Sequence, residues 1–182
     1  YFGSGSISFR LVRKILPQVF EEVNFLCNTR FDCYVASQFV EEPYSEGTVH
    51  FAPSFDALQI IPSSTYVFSH GGINSVMQAL GNGVPLIMVP GAIHERRHNA
   101  HEVTAVYSGI EVEIDDFTVP HLSSLLMDQA QERELKRNAL RVQQLIMEAG
   151  GMKKAFDEME QRWLAPYDKS KLSLIARRLL SA

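Results

Sequence analysis

The sequence predicts an α/β chain: a doubly wound, Rossmann-like parallel sheet of about six strands, with extra helices at its carboxyl end. Three observations carry that prediction. Short apolar runs alternate with stretches of helical period through most of the chain, the pattern of successive βαβ units. Two strand-to-helix junctions are rich in glycine, Gly3-Ser4-Gly5-Ser6 and Gly71-Gly72. From Pro120 onward apolar residues recur only at helical spacing, so the sheet ends before that point.

Taken in order, Tyr1-Phe2 closes a strand, and the first glycine turn leads into a helix over 8–24. Leu11, Ile15, Val19 and Val23 share one face of it, and Pro17 is expected to bend or interrupt it. Phe31–Ala36 and Thr48–Ala52 read as strands, and Phe55–Ile61 as a short helix. A strand at Thr65–Ser69, a helix at Ile73–Asn82, a strand at Leu86–Val89 and a helix at His94–Tyr107 follow. Ile110-Glu-Val-Glu-Ile114 alternates at period two, which fits an edge strand. The remaining helices run to about Asp128, over Gln131–Ala149 and over Met152–Trp163, with Gly150-Gly151 as a C-cap break.

Residues 1–165 therefore form one Rossmann-like domain, and 166–182 a helical tail. Leu172, Ile175, Leu179 and Leu180 line one side of the tail, with Arg177 and Arg178 opposite. Such a tail suits packing on a preceding domain or a partner chain.

Composition narrows the classes. Of 182 residues, 46% are apolar and 21% charged, which is globular and not disordered. A net charge of −4 offers no basic surface for nucleic acid. Cys27 and Cys33 have neither CxxC spacing nor the number of a disulfide framework, so reduced thiols are expected. No apolar run approaches the roughly 20 residues of a membrane span. No signal peptide opens the chain either, and a cytoplasmic protein is expected. A start at Tyr1-Phe2, inside a strand, reads as a fragment.

The segment from Tyr66 to Pro90 is the most informative. A strand that ends in Gly-Gly and opens a helix presents unpaired backbone N–H groups at the positive end of the helix dipole. That is a phosphate site, and His70, Asn74 and Ser75 supply polar groups around it. Ile73, Met77 and Leu80 form the stripe expected to face the sheet, while Asn74, Ser75 and Gln78 share the other side. Gln78, one turn on, lies within reach of a ribose hydroxyl. In a parallel sheet the Gly3–Ser6 turn falls at the same carboxyl edge, which makes Ser4 a second wall of the same pocket. The plainer alternative is a tight turn in which Asn74 and Ser75 serve as helix caps.

His70-Gly71-Gly72, Ser75, Gly83-Val84-Pro85, Pro90 and Asn99-Ala100 closely resemble the donor-binding signature of nucleotide-sugar-dependent glycosyltransferases. That group includes plant secondary-metabolite, animal glucuronosyl and bacterial antibiotic transferases. The resemblance implies the carboxyl-terminal, nucleotide-sugar-binding half of a GT-B fold, with residues 1–165 as that half. It implies that His70, Gly71, Gly72, Asn74 and Ser75 hold the diphosphate and that Ser4 approaches it from the other side. The position of Gln78 usually carries Glu on the ribose; the neutral amide implies an altered contact. Glu95 matches the acidic residue on the sugar hydroxyls, whereas Arg96 replaces a Gln and implies a different or more acidic sugar, or a phosphate contact. The nucleobase would pack near Ala52-Pro53-Ser54, with Phe51 or Phe55 able to stack on it. No cofactor is implied beyond the donor, a UDP or dTDP sugar. The partners implied are a hydroxylated acceptor and an amino-terminal acceptor domain, in cis or as a separate chain, which would carry the catalytic base.

Two other readings remain open on the residues. One is a nucleotide-sugar-binding subunit, active only with a separate acceptor-domain chain. The other is a zinc hydrolase, since His94-Glu95-Arg96-Arg97-His98 spells HExxH. Two arginines inside that motif and its place at a helix start both disfavour a bound cation.

Overall fold

The structure, a computed structural model, describes residues 8–159. The expected strand end at Tyr1-Phe2, the Gly3–Ser6 turn with Ser4, the last residues of the helix to Trp163 and the tail 166–182 all lie outside the described residues.

Helix α1 (Phe9–Cys27) opens the described chain and runs through Pro17 without a break. Its buried face is Val12, Leu16, Val19, Phe20 and Val23; Leu11 and Ile15 flank that face half-buried. Asn28 ends the helix in the left-handed region at φ 47°, where asparagine is tolerated. Strands β1 (Cys33–Ala36), β2 (Tyr44–Glu46) and β3 (Val49–Ala52) form a sheet in the order β1-β3-β2. β1 and β3 pair in parallel with Cys33 opposite Val49, while β2 runs antiparallel to β3 through a tight turn at Gly47.

Strand β2 is a correction to the expected all-parallel sheet. Its three residues are half-buried or exposed, and Pro43 precedes them, so no apolar alternation announced a strand. Side chains hold this edge: Arg13 Nε donates to Glu46 Oε1 at 2.8 Å, and the Arg13 guanidinium lies 5.5 Å from the centre of the Tyr44 ring.

Helix α2 (Ala57–Ile60) is capped by Asp56 and passes into a 3-10 turn at Ile61–Ser63. The second sheet follows: β4 (Val67–Ser69), α3 (Ile73–Gly81), β5 (Leu86–Met88), α4 (His94–Ala105) and β6 (Gly109–Glu111). Its order is β4-β5-β6, all parallel, with Val67 opposite Leu86 and Leu86 opposite Gly109. β5 has no solvent exposure, which is why its sequence is a continuous apolar run instead of an alternation. β6 is the edge strand the alternation predicted, shortened because Ile114 belongs to a 3-10 turn.

Helices α5 (Val119–Met127), α6 (Gln129–Glu148) and α7 (Gly151–Met159) complete the described chain. α5 packs on α1, where Ser123 Oγ donates to Glu22 Oε2 at 2.7 Å. One core cluster draws on both sheets: Leu16, Phe20, Val35, Phe51, Phe68, Ile87, Val112, Phe117 and Leu122. Cys33 lies in it, and burial pushes its thiol up to about 11, so it stays protonated and unreactive. The chain divides into two compact units between Gln143 and Gln144. No helix among the described residues is long and apolar enough to cross a membrane.

Candidate functional site

Strand β4 ends at Ser69, and the chain then turns through His70, Gly71 and Gly72 into α3. Three contacts fix that turn. The Gly71 N–H donates to the buried Ser69 Oγ at 3.0 Å. Asn99 Nδ2 on α4 donates to the Gly71 carbonyl at 2.8 Å. The Gly71 backbone also lies directly on α4: a Cβ there would stand 2.7 Å from the Arg96 carbonyl oxygen. With φ at +83°, position 71 needs glycine for both conformation and space.

Gly72 is the N-cap of α3, and no side chain caps the helix. A Cβ on Gly72 would meet His70 Nε2 at 2.7 Å, so the imidazole lies across the turn. Asn74 and Gln78 are exposed on the same side of α3, and Ser75 is half-buried beside them. The first N–H groups of α3 thus open at the carboxyl end of β4, among three polar side chains and one imidazole.

The stripe expected to face the sheet needs correction. Val76, Ala79 and Leu80 are buried, whereas Ile73 is 50% exposed and Met77 46%. Two apolar seams overlap on this helix, and the one containing Ala79 allows the closer approach. Ile73 and Met77 consequently give the site an apolar rim.

Helix α4 supplies the second side of the site. Arg96 is half-buried, while His94, Glu95 and His98 are exposed on its first turns. Glu95 reaches Asn99 Nδ2 only at 3.5 Å. Arg97 braces the loop before the helix: its Nε donates to the Gly91 carbonyl at 2.7 Å, and its Nη2 to Glu113 Oε2 at 2.9 Å.

Of the aromatics offered for a base, Phe51 is 1% exposed, stacked on Tyr44 with ring centres 4.9 Å apart. It is a core residue and cannot receive a ligand. Phe55 is half-buried, edge-on to Tyr34. A cavity of about 300 Å³ lies beside the amino ends of β1 and β4, lined by Phe20, Cys33, Tyr66 and others. It is at the opposite ends of these strands from the Gly71 turn.

The structure therefore gathers His70, Gly71, Gly72, Asn74, Ser75 and Gln78 around one helix start, with Glu95 and Arg96 on the helix packed against it. Sequence reasoning missed Ser69 as the residue that pins the turn. A small polar residue ending a buried strand, two positions before a glycine, was the available signal.

An α/β domain with a parallel sheet and a Gly-Gly turn opening a helix at its carboxyl edge has the architecture of the GT-B glycosyltransferases. Solved structures share it. The glycosyltransferase of kitacinnamycin superposes with a TM-score of 0.72 at 17% identity, over 88% of this chain and 41% of that one. UGT2 of Phytolacca americana superposes with a TM-score of 0.68 at 15% identity, over 90% of this chain and 40% of that one.

The chain belongs to the UDP-glucoronosyl and UDP-glucosyl transferase family, whose sequence profile matches residues 46–149. The NDP-glycosyltransferase YjiC of Bacillus subtilis (strain 168) is 30% identical over 107 residues, 59% of this chain. The match spans 27% of the length of that relative.

Proposed function

We propose that this chain is the donor-binding half of a glycosyltransferase and holds a nucleoside diphosphate sugar for transfer to a hydroxyl-bearing acceptor. The observation that carries the reading is the Gly71-Gly72 turn, clamped by Ser69 and Asn99 so that the first N–H groups of α3 open at its outer end. The residues that build it all fall within the family match.

On this reading the diphosphate sits over the start of α3. It accepts hydrogen bonds from backbone N–H groups, the Ser75 hydroxyl, the Asn74 amide and the His70 imidazole, while Ser4 approaches from the other side. Transfer breaks the bond between the sugar's anomeric carbon and the diphosphate, and negative charge grows on the leaving group. Donors already fixed in place stabilise that charge without reorganising. Gln78 reaches the ribose, and Glu95 and Arg96 meet the sugar. The donor is a UDP or dTDP sugar, and no further cofactor takes part. A solved structure of the same fold is complexed with UDP-2fluoro-glucose and pterostilbene, which supports a UDP sugar among the possible donors.

The acceptor and the base that deprotonates it belong to an amino-terminal domain, in cis or on a partner chain. This half alone then binds donor and turns over little, and it works in the cytoplasm. Calorimetric titration of the intact protein with a panel of nucleoside diphosphates tests the reading. UDP or dTDP should bind, and His70→Ala or Ser75→Ala should weaken that binding. An intact protein with no affinity for any member of the panel refutes it.

A further inference from the structure

We infer that Arg97 is a positioning residue for the sugar end of the donor site, so that the choice among donor sugars depends on it. In the donor-binding reading above, on which this rests, Glu95 and Arg96 meet the sugar. Arg97 follows them on α4, but all three of its guanidinium nitrogens are engaged within the protein. Nε donates to the Gly91 carbonyl at 2.7 Å, Nη2 to Glu113 Oε2 at 2.9 Å and Nη1 to Glu113 Oε1 at 3.3 Å. Glu111 Oε1 lies 4.0 Å from Nη1. The paired carboxylate offsets the charge, which leaves geometry as the means by which Arg97 acts.

Its partners tie that geometry to the site. Strands β4, β5 and β6 run in parallel, so the Gly71 turn, the loop 90–93 and the segment after Glu111 leave the sheet at one edge. One turn of α4 touches all three. A Cβ added at Gly71 would come within 2.7 Å of the Arg96 carbonyl oxygen, and Asn99 Nδ2 donates to the Gly71 carbonyl at 2.8 Å. Arg97 takes the loops after β5 and β6. The turn that holds the diphosphate in this reading and the loop that leads into Glu95 are thereby fixed to the same helix turn.

That loop needs a brace. Ile93 is the N-cap of α4 and no side chain caps the helix, so the first turn, which carries Glu95, has its leading N–H groups open. Gly91 turns at φ 65°, and Ala92, Ile93, His94 and Glu95 are all exposed. Arg97 reaches back past this turn to Gly91 with a charge-assisted bond, and its fork to Glu113 anchors it from the other side. Freed of that bond, the loop and Glu95 take several positions, and a sugar meets no single arrangement of groups. The Arg97 and Glu113 side chains are 48% and 53% exposed, so their pairing adds little to overall stability. Its loss is therefore felt in recognition and not in folding.

The test is calorimetric titration of the intact protein, and of its Arg97→Ala and Arg97→Lys variants, with UDP, UDP-glucose, UDP-galactose and UDP-glucuronate. The wild type should bind the three sugars with unequal Kd. In Arg97→Ala that spread should shrink by about tenfold, the worth of one hydrogen bond from a sugar hydroxyl to a charged group, while the Kd for UDP stays at its wild-type value. Arg97→Lys keeps the charge but not the fork, and it should lose the spread as well. An unchanged spread in Arg97→Ala overturns the positioning role and leaves donor binding standing. So does a spread restored in Arg97→Lys, since charge alone then suffices. Loss of UDP binding in Arg97→Ala also overturns it, because the clamp then supports the whole domain. A wild type that binds the three sugars equally leaves no choice for Arg97 to set and overturns the inference too. A wild type that binds none of the four overturns it as well, and the wider panel of nucleoside diphosphates above then decides whether the donor reading falls with it.

Discussion

The two sheets solve the same problem in opposite ways. In β4-β5-β6 all strands are parallel, the central one is wholly buried, and the turn after β4 is pinned by Ser69 and Asn99 and by close backbone approach to α4. In β1-β3-β2 the edge is antiparallel and held by side chains. Ser45 Oγ lies 2.9 Å from His50 Nδ1, His50 Nε2 lies 3.2 Å from Asp32 Oδ1, and Arg30 closes on the same carboxylate. The first arrangement leaves outward-facing polar groups at the turn for a ligand. The second spends its polar groups on holding strands together. Two glycines condense the contrast: Gly47 and Gly71 both have positive φ, but a Cβ on Gly47 would meet nothing within 4 Å.

Exchanging those glycines gives the largest expected difference. Gly71→Ala combines backbone strain with a collision against the Arg96 carbonyl and should cost about 2–5 kcal/mol of stability in urea unfolding. Gly47→Ala, with strain alone, should cost about 1 kcal/mol. Equal costs would remove the idea that the Gly71 turn is wedged against α4.

Binding comes next. His70→Ala and Ser75→Ala should each weaken nucleoside diphosphate binding by about 1–3 kcal/mol, the cost of a hydrogen bond to a charged partner, and Ser75→Ala should do so with little change in unfolding midpoint. Removing the clamp is milder. Asn99→Ala leaves the Gly71 carbonyl without its 2.8 Å donor and should destabilise the protein by about 1 kcal/mol. Its diphosphate affinity should fall as well, whereas Asn99→Ala at wild-type affinity would show that the turn holds its shape unaided.

The smallest effect belongs to the other sheet. Hydrogen bonds from Arg30 and then from His50 hold the Asp32 carboxyl below its usual range. A depressed carboxylate stabilises the fold fully above its unfolded value of about 3.9, and that contribution is lost as pH falls through the lower folded value. Asp32→Asn should therefore narrow the difference in stability between neutral and strongly acidic solution. Because the group is exposed, the change should be small, and nucleotide affinity should not move.

Much of the second sheet was readable in advance because its local signals agree. Leu86-Ile-Met88 is apolar throughout, Gly71-Gly72 breaks the chain, and α3 starts at the predicted Ile73. The first sheet was less legible. Tyr44-Ser-Glu46 gains its strand conformation from pairing with β3, from Gly47 and from Arg13, none of which its own three residues encode. The buried seam of α3 was misread because periodicity allows either of two overlapping faces, and packing against the sheet selects one. Asn99's hold on the turn escaped for a related reason: it lies 28 positions from the Gly71 carbonyl and reaches it only through the fold.

The central claim, that the Gly71 turn and the start of α3 grip a diphosphate, is tested most directly by titrating UDP into the intact protein beside Ser75→Ala and His70→Ala. Saturable binding by the wild type, weakened by about 5–150-fold in each variant, the equivalent of about 1–3 kcal/mol, is the result expected. Binding that both substitutions leave unchanged would contradict it.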